Sequence, residues 1–261
     1  MTDVQTDTTL CDPQDMAGRL HTALSDLVRD CKARMLRPRP GHQPTADLSG
    51  FRLGITWLAQ QRQMDSMLDL AEQLVREAPA LVGGHGRKPE TLDQLRACMV
   101  PVLRALPEVN RPPAQRLEWL FGTLLVDELQ CLPHAEVMAV LERNAFQPRH
   151  WQYIVPYLEQ NLPKVKGTGL SWQGQERRRR LLGYAWQACQ KAGWADRAEA
   201  LFRRELSVCA CYGELAELLV HRGDVEEAQT VLLKGIAKYN ASRPELTMGW
   251  LDRLESLNGV G

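Results

Sequence analysis

Apolar residues recur at helical spacing along most of the chain, and polar residues fill the positions between them. In the first such stretch the apolar residues are Met16, Leu20 and Leu24. Asp12 and Pro13 stand just before it and favour a helix start. The Asp12 carboxylate can accept hydrogen bonds from the free N–H groups of the first turn, and Pro13 fits the first helical position because no N–H donor is needed there. No run of roughly four to eight residues alternates between apolar and polar positions. The pattern therefore predicts an all-α protein.

Composition divides the predicted helices into regions. Residues 1–11 lack any periodicity, and we expect a disordered tail there. Residues 12–162 carry a succession of helical patterns and form the predicted N-terminal helical region. The segment 163–174 is interrupted by glycines and is predicted to be a linker loop. Residues 175–258 form the predicted C-terminal region of helical-hairpin repeats.

The last third of the chain contains an internal repeat. Gly193 and Gly223 lie 30 residues apart, and Ala198 and Ala228 follow them at the same spacing. In each copy a helical pattern precedes the glycine and a second one follows it. We expect the glycine to end the first helix in a left-handed conformation, and the alanine to let the two helices approach closely. This pattern favours antiparallel helical hairpins stacked as a short tetratricopeptide-like solenoid.

The C-terminal block also resembles the helical-repeat region of bacterial SWIM zinc-finger proteins. The stretches that carry the resemblance are RRRLLGYAW at 178–186, the unit 193–206 and LAELLVHRGDVEEA at 215–228. Upstream, residues 116–128 are similar to a helix that precedes the repeats in that family. The resemblance implies a helical-repeat scaffold that spans residues 50–258.

The zinc-binding part of that family is missing from the pattern. SWIM fingers carry Cys-x-Cys followed by Cys-x-His, whereas Cys209 and Cys211 give a Cys-x-Cys with no Cys-x-His after it. Cys131 and His134 come earlier, so four zinc ligands would have to meet from two distant segments. The resemblance therefore implies the scaffold without its finger, and we expect no metal and no cofactor.

The overall charge argues against a protein whose whole surface binds nucleic acid or membrane. Lys+Arg and Asp+Glu both number 32, so the formal net charge is zero. The chain has no run of about 18 apolar residues that would cross a membrane. Its first ten residues are polar and acidic, and its seven cysteines are irregularly spaced. We therefore expect a protein of the reduced cytoplasm.

One segment is locally basic. Candidate contacts with a nucleic acid or an acidic partner are Lys164, Lys166, Arg177, Arg179 and Arg180. Arginine suits this role because its planar guanidinium donates several hydrogen bonds to a phosphate. A solvated helix start with balancing acidic neighbours is the alternative for the same residues.

A tryptophan in the first hairpin turn is the second candidate. Trp194 stands where the other copy of the repeat has Asp224. An indole in that turn either packs under the neighbouring hairpin or serves as an anchor for a partner.

The six histidines form no metal-protease signature, and no nucleophile motif is present, so we expect no enzyme. The leading hypothesis is a non-catalytic scaffold or adaptor subunit of a bacterial cytosolic complex, with protein partners. The alternative is a nucleic-acid-associated subunit of a DNA- or RNA-processing or defence complex, which uses the basic segment from Lys164 to Arg180.

Overall fold

The computed structural model describes residues 12–36, 46–83, 89–143, 145–162 and 170–258. The helices in these residues are α1 Pro13–Leu36, α2 Ser49–Gln60, α3 Met64–Val82, α4 Pro89–Ala105, α5 Pro113–Val126, α6 His134–Glu142, α7 Pro148–Asn161, α8 Trp172–Ala192, α9 Ala195–Cys209, α10 Tyr212–Arg222, α11 Val225–Tyr239 and α12 Pro244–Asn258. A short 3-10 turn spans Leu106–Glu108. The described part of the chain contains no strand, which confirms the all-α prediction.

The chain forms two compact units, residues 1–145 and 146–261. Helix α7 belongs to the second unit because it packs along α8, on the far side of the predicted linker. Within that linker, residues 163–169 lie outside the described residues, and α8 already begins at Trp172. The predicted disordered tail, residues 1–11, also lies outside them.

The first unit packs its helices around one apolar core. Helix α1 contacts α2 and α3, and α4 contacts α2, α3 and α6. Fully buried side chains come from every one of α1 to α5, among them Leu24, Ile55, Leu74, Leu95 and Phe121. Burial of this apolar surface is the main force that holds the unit together.

The second unit is a succession of helices in which each packs against the next, from α7 to α12. Gly193 ends α8 with φ 74° and Gly223 ends α10 with φ 87°. The N–H of Trp194 donates to the carbonyl of Cys189, and the N–H of Asp224 donates to that of Leu219, both at 2.9 Å. These bonds close the Schellman turn that a left-handed glycine permits. The predicted role of the two glycines is therefore confirmed.

The second helix of each repeat buries an apolar stripe that includes its alanine. Ala198 and Phe202 of α9 are fully buried, as are Ala228 and Leu232 of α11. Helix α9 packs along α8, and α11 packs along α10. The two copies of the repeat thus form the same local structure.

Candidate functional site

The predicted basic residues divide between described and undescribed parts of the chain. Lys164 and Lys166 lie outside the described residues. Arg177, Arg179 and Arg180 lie near the start of α8, and each is half-buried. The N-cap of this helix is Ser171, whose Oγ accepts from the N–H of Gly174 at 3.2 Å.

Between these arginines, Arg178 points into the protein. It is buried against α9, where Nε donates to Oε2 of Glu205 and Nη2 donates to Oε1, each at 2.9 Å. Both partners are buried, so this is a structural ion pair and leaves no charge for a ligand. The sequence contains the signal for it, because Arg178 shares helical spacing with the buried Leu182 and Ala185.

Arg179 is also engaged within the protein. Its Nη2 donates to Oε2 of Glu176, and only 14% of its side chain is exposed. Its positive charge lowers the pKa of Glu214 on α10, although burial is the larger influence and raises that pKa. The sequence predicts that Arg179 is available to a nucleic acid or an acidic partner, whereas the structure pairs it with Glu176.

Arg180 is the cation of this segment that retains most freedom. The described residues provide no ion pair for it, although its side chain is half-buried. Trp172, at the first position of α8, exposes 58% of its surface. An exposed indole and a guanidinium two turns apart suit stacking and phosphate contact.

The predicted anchor Trp194 is half-buried, and one face of its ring is covered. The guanidinium carbon of Arg197 lies 4.7 Å from the ring centroid. Arg197 in turn forms an ion pair with Glu159 of α7, through both Nε and Nη2. The guanidinium that covers the ring of Trp194 thus also ties α9 to α7.

The first helices of the hairpins touch one another in series. The rings of Trp186 on α8 and His221 on α10 meet edge to face, with centroids 5.7 Å apart. Arg253 on α12 forms an ion pair with Glu217 on α10 at 3.1 Å. A Cβ at Gly213 of α10 would lie 2.9 Å from Nε1 of Trp250, so α10 and α12 approach closely there.

The cysteine and histidine candidates do not assemble into a metal site. Cys131 and His134 belong to the first unit, and Cys209 and Cys211 belong to the second. Across the described ranges, no group of three or more histidine, cysteine or acidic residues is arranged to hold a metal ion. Burial raises the pKa of the Cys98 and Cys189 thiols to about 12.

None of the described helices is both long enough and apolar enough to cross a membrane. Compared with protein-family models, curated proteins and solved structures, the chain matches none of them.

Proposed function

We propose that the protein is a non-catalytic protein–protein interaction scaffold, an adaptor subunit of a bacterial cytosolic complex. One observation carries this proposal: the second unit contains two successive hairpins, each with a glycine at the end of its first helix, and α8, α10 and α12 contact each other in series. This arrangement supports the tetratricopeptide-like solenoid that the repeat and the resemblance to SWIM scaffolds imply. Solenoids of helical hairpins bind partners along the face that their first helices share.

The first-helix face of α8 and α10 has the character of such a surface. Gly183 and Gln187 on α8 and Glu217 on α10 are partly exposed on it, and His221 on α10 is exposed. A Cβ placed on Gly183 would meet nothing within 4 Å, so space is open above the middle of α8. The open space and the polar side chains on this face suit a docking surface for a partner.

A nucleic-acid-associated subunit is the second candidate, supported by the exposed Trp172 and by Arg180. The ion pairs of Arg178 and Arg179 weigh against it, because they take two cations out of the basic segment. Only cations that contact phosphates release counterions on binding.

A purification and a salt titration together test both candidates. The scaffold proposal predicts that the tagged full chain, purified from its native host and treated with nuclease, retains a protein partner at fixed stoichiometry. It is contradicted if the chain elutes alone or if nuclease removes everything bound to it.

The nucleic-acid candidate predicts that single- or double-stranded probes bind at low salt. Their affinity should fall steeply with salt, and R177A/R180A should reduce the logarithmic salt slope by about two. Absence of binding at low salt eliminates this candidate.

A further inference from the structure

Three large apolar side chains at the carboxyl-terminal end of the second unit face solvent. Met248 on α12 exposes 65% of its surface, Leu251 exposes 40%, and Leu233 on α11 exposes 53%. We call these three residues the terminal apolar patch. Single exposed apolar residues need no explanation, but three on two packed helices form a candidate interaction surface.

Helical periodicity places the three residues on one side of the α11–α12 pair. The side chain of Gln229 on α11 donates to Oδ1 of Asn258 on α12 at 2.8 Å, which aligns the two helices. Leu233 lies one turn after Gln229, and Leu251 lies two turns before Asn258. Because α11 and α12 are antiparallel, a step forward from Gln229 and a step backward from Asn258 lead in the same direction along the pair. Leu233 and Leu251 therefore lie on either side of the groove between the two helices. Met248 extends the patch by one turn along α12.

The outer side of α12 has no covering helix in the described residues. Each of α8 to α11 packs between two helices that are adjacent in sequence, whereas α12 packs along α11 alone. It touches α10 on its inner side, through Trp250 and Arg253. In the pattern of the repeat, α12 occupies the place of a first helix, and within the described residues no second helix packs on its outer side.

The charges around the patch are acidic. On α12 the exposed charged residues are Glu245, Asp252 and Glu255, and its one cation, Arg253, is paired with Glu217. The exposed lysines of α11, Lys234 and Lys238, lie on a different helix face from Gln229. A second copy of this chain would bring the same acidic residues together, which disfavours self-association.

We propose that the terminal apolar patch docks an amphipathic helix of a partner protein. That helix carries large apolar residues at helical spacing, and lysine or arginine residues flank them. The apolar stripe packs on the outer side of α12, and the cations face the acidic residues of α12. This inference rests on the proposed scaffold function and names where and by what chemistry the partner binds.

Synthetic helices test the chemistry directly. The probes are a labelled amphipathic peptide of about five turns with a leucine stripe and lysine flanks, the same peptide with glutamate flanks, and a scrambled peptide. Binding to the full chain is followed by fluorescence anisotropy. The basic amphipathic peptide should bind about tenfold or more tightly than either of the others. Equal affinity for all three overturns the proposal.

Substitutions in the chain test whether the basic peptide binds at the terminal apolar patch. M248D/L251D should abolish binding of the basic peptide, while L53D should leave it unchanged, because Leu53 has a matching exposure of 66% in the first unit. D252K/E255K should reverse the preference in favour of the glutamate peptide. These positions are exposed, so circular dichroism should show the same helix content and unfolding for all variants. The proposal is overturned if M248D/L251D binds the basic peptide with wild-type affinity. It is also overturned if the wild-type chain forms a dimer and M248D/L251D abolishes that dimer.

The natural partner separates this inference from the proposed function. Loss of the co-purified partner in M248D/L251D, but not in L53D, supports both. Retention of the partner by M248D/L251D overturns the patch and leaves the scaffold intact. Absence of any stoichiometric partner for the wild-type chain refutes the scaffold itself.

Discussion

Arg178 and Glu205 join α8 to α9 by a two-pronged ion pair in the interior of the second unit. Both side chains are almost fully withdrawn from water, and Arg204 adds a contact to Oε1 of Glu205 at 3.2 Å. A buried guanidinium and carboxylate satisfy each other in this geometry, but either one alone would be an uncompensated buried charge.

Arg178→Ala should lower the free energy of unfolding by about 3 kcal/mol, because Glu205 is then left buried with only the exposed Arg204 beside it. Arg180→Ala, the matched control on the same helix, should change it by less than about 0.5 kcal/mol. R178M/E205L should recover most of the loss, since apolar residues of similar size fill the space. Urea unfolding of the three variants measures this, and equal losses for Arg178→Ala and Arg180→Ala would show that the pair is unimportant.

Three glycines should respond to alanine in opposite ways. Gly193→Ala and Gly223→Ala should each destabilise the protein by about 1 kcal/mol or more, because both residues have a positive φ that a Cβ disfavours. Gly183→Ala, inside α8 with open space around its Cβ, should stabilise it by about 0.5–1 kcal/mol. Thermal unfolding of the single variants gives the signs, and stabilisation by Gly223→Ala would contradict the observed turn.

Glu214 should make the second unit more stable at acid than at neutral pH. Burial raises the pKa of this carboxyl above its ordinary value of 4.5, so the folded state binds the proton more tightly than the unfolded state. The stabilising contribution is complete below the unfolded pKa and is lost as pH rises through the folded pKa.

Glu214→Gln removes this dependence. The variant should therefore gain stability relative to the wild type as pH rises through that window, and the gain should vanish at lower pH. Denaturant unfolding of both proteins across the window measures the difference. A difference that does not change with pH would mean that Glu214 does not titrate there.

The buried cysteines should resist thiol reagents until the protein unfolds. Burial raises the pKa of Cys98 and Cys189 to about 12, and Cys131, Cys209 and Cys211 are equally withdrawn from solvent. Alkylation followed by peptide mass spectrometry should label Cys31, which is half-buried, well before these five. Rapid native labelling of Cys209 or Cys211 would show that the turn between α9 and α10 opens readily.

The helices and the two hairpin turns follow from the sequence because their signals are local. Apolar spacing defines each helix, and the left-handed conformation at Gly193 and Gly223 follows from one residue type at a helix end. The division of the arginines does not follow in the same way. Arg178 and Arg179 are identical neighbours, but Arg178 binds Glu205 of α9, which packs against α8, whereas Arg179 binds Glu176 on its own helix.

The surroundings of Trp194 are also set by tertiary contacts that the sequence does not reveal. The cover over its ring comes from Arg197, and Arg197 is held by Glu159 from another helix. The terminal apolar patch does not follow from the sequence, for a related reason. Met248 and Leu251 fit a helical apolar pattern, and the pattern does not reveal that no described helix covers them.

Hydrogen exchange of the full chain, with and without its co-purified partner, tests the central claim most directly. A scaffold that binds through the second unit predicts added protection on exposed amides of α8 to α12, including the outer turns of α12, and unchanged exchange in α1 to α6. Protection confined to the first unit, or no protection anywhere in the presence of saturating partner, would contradict it.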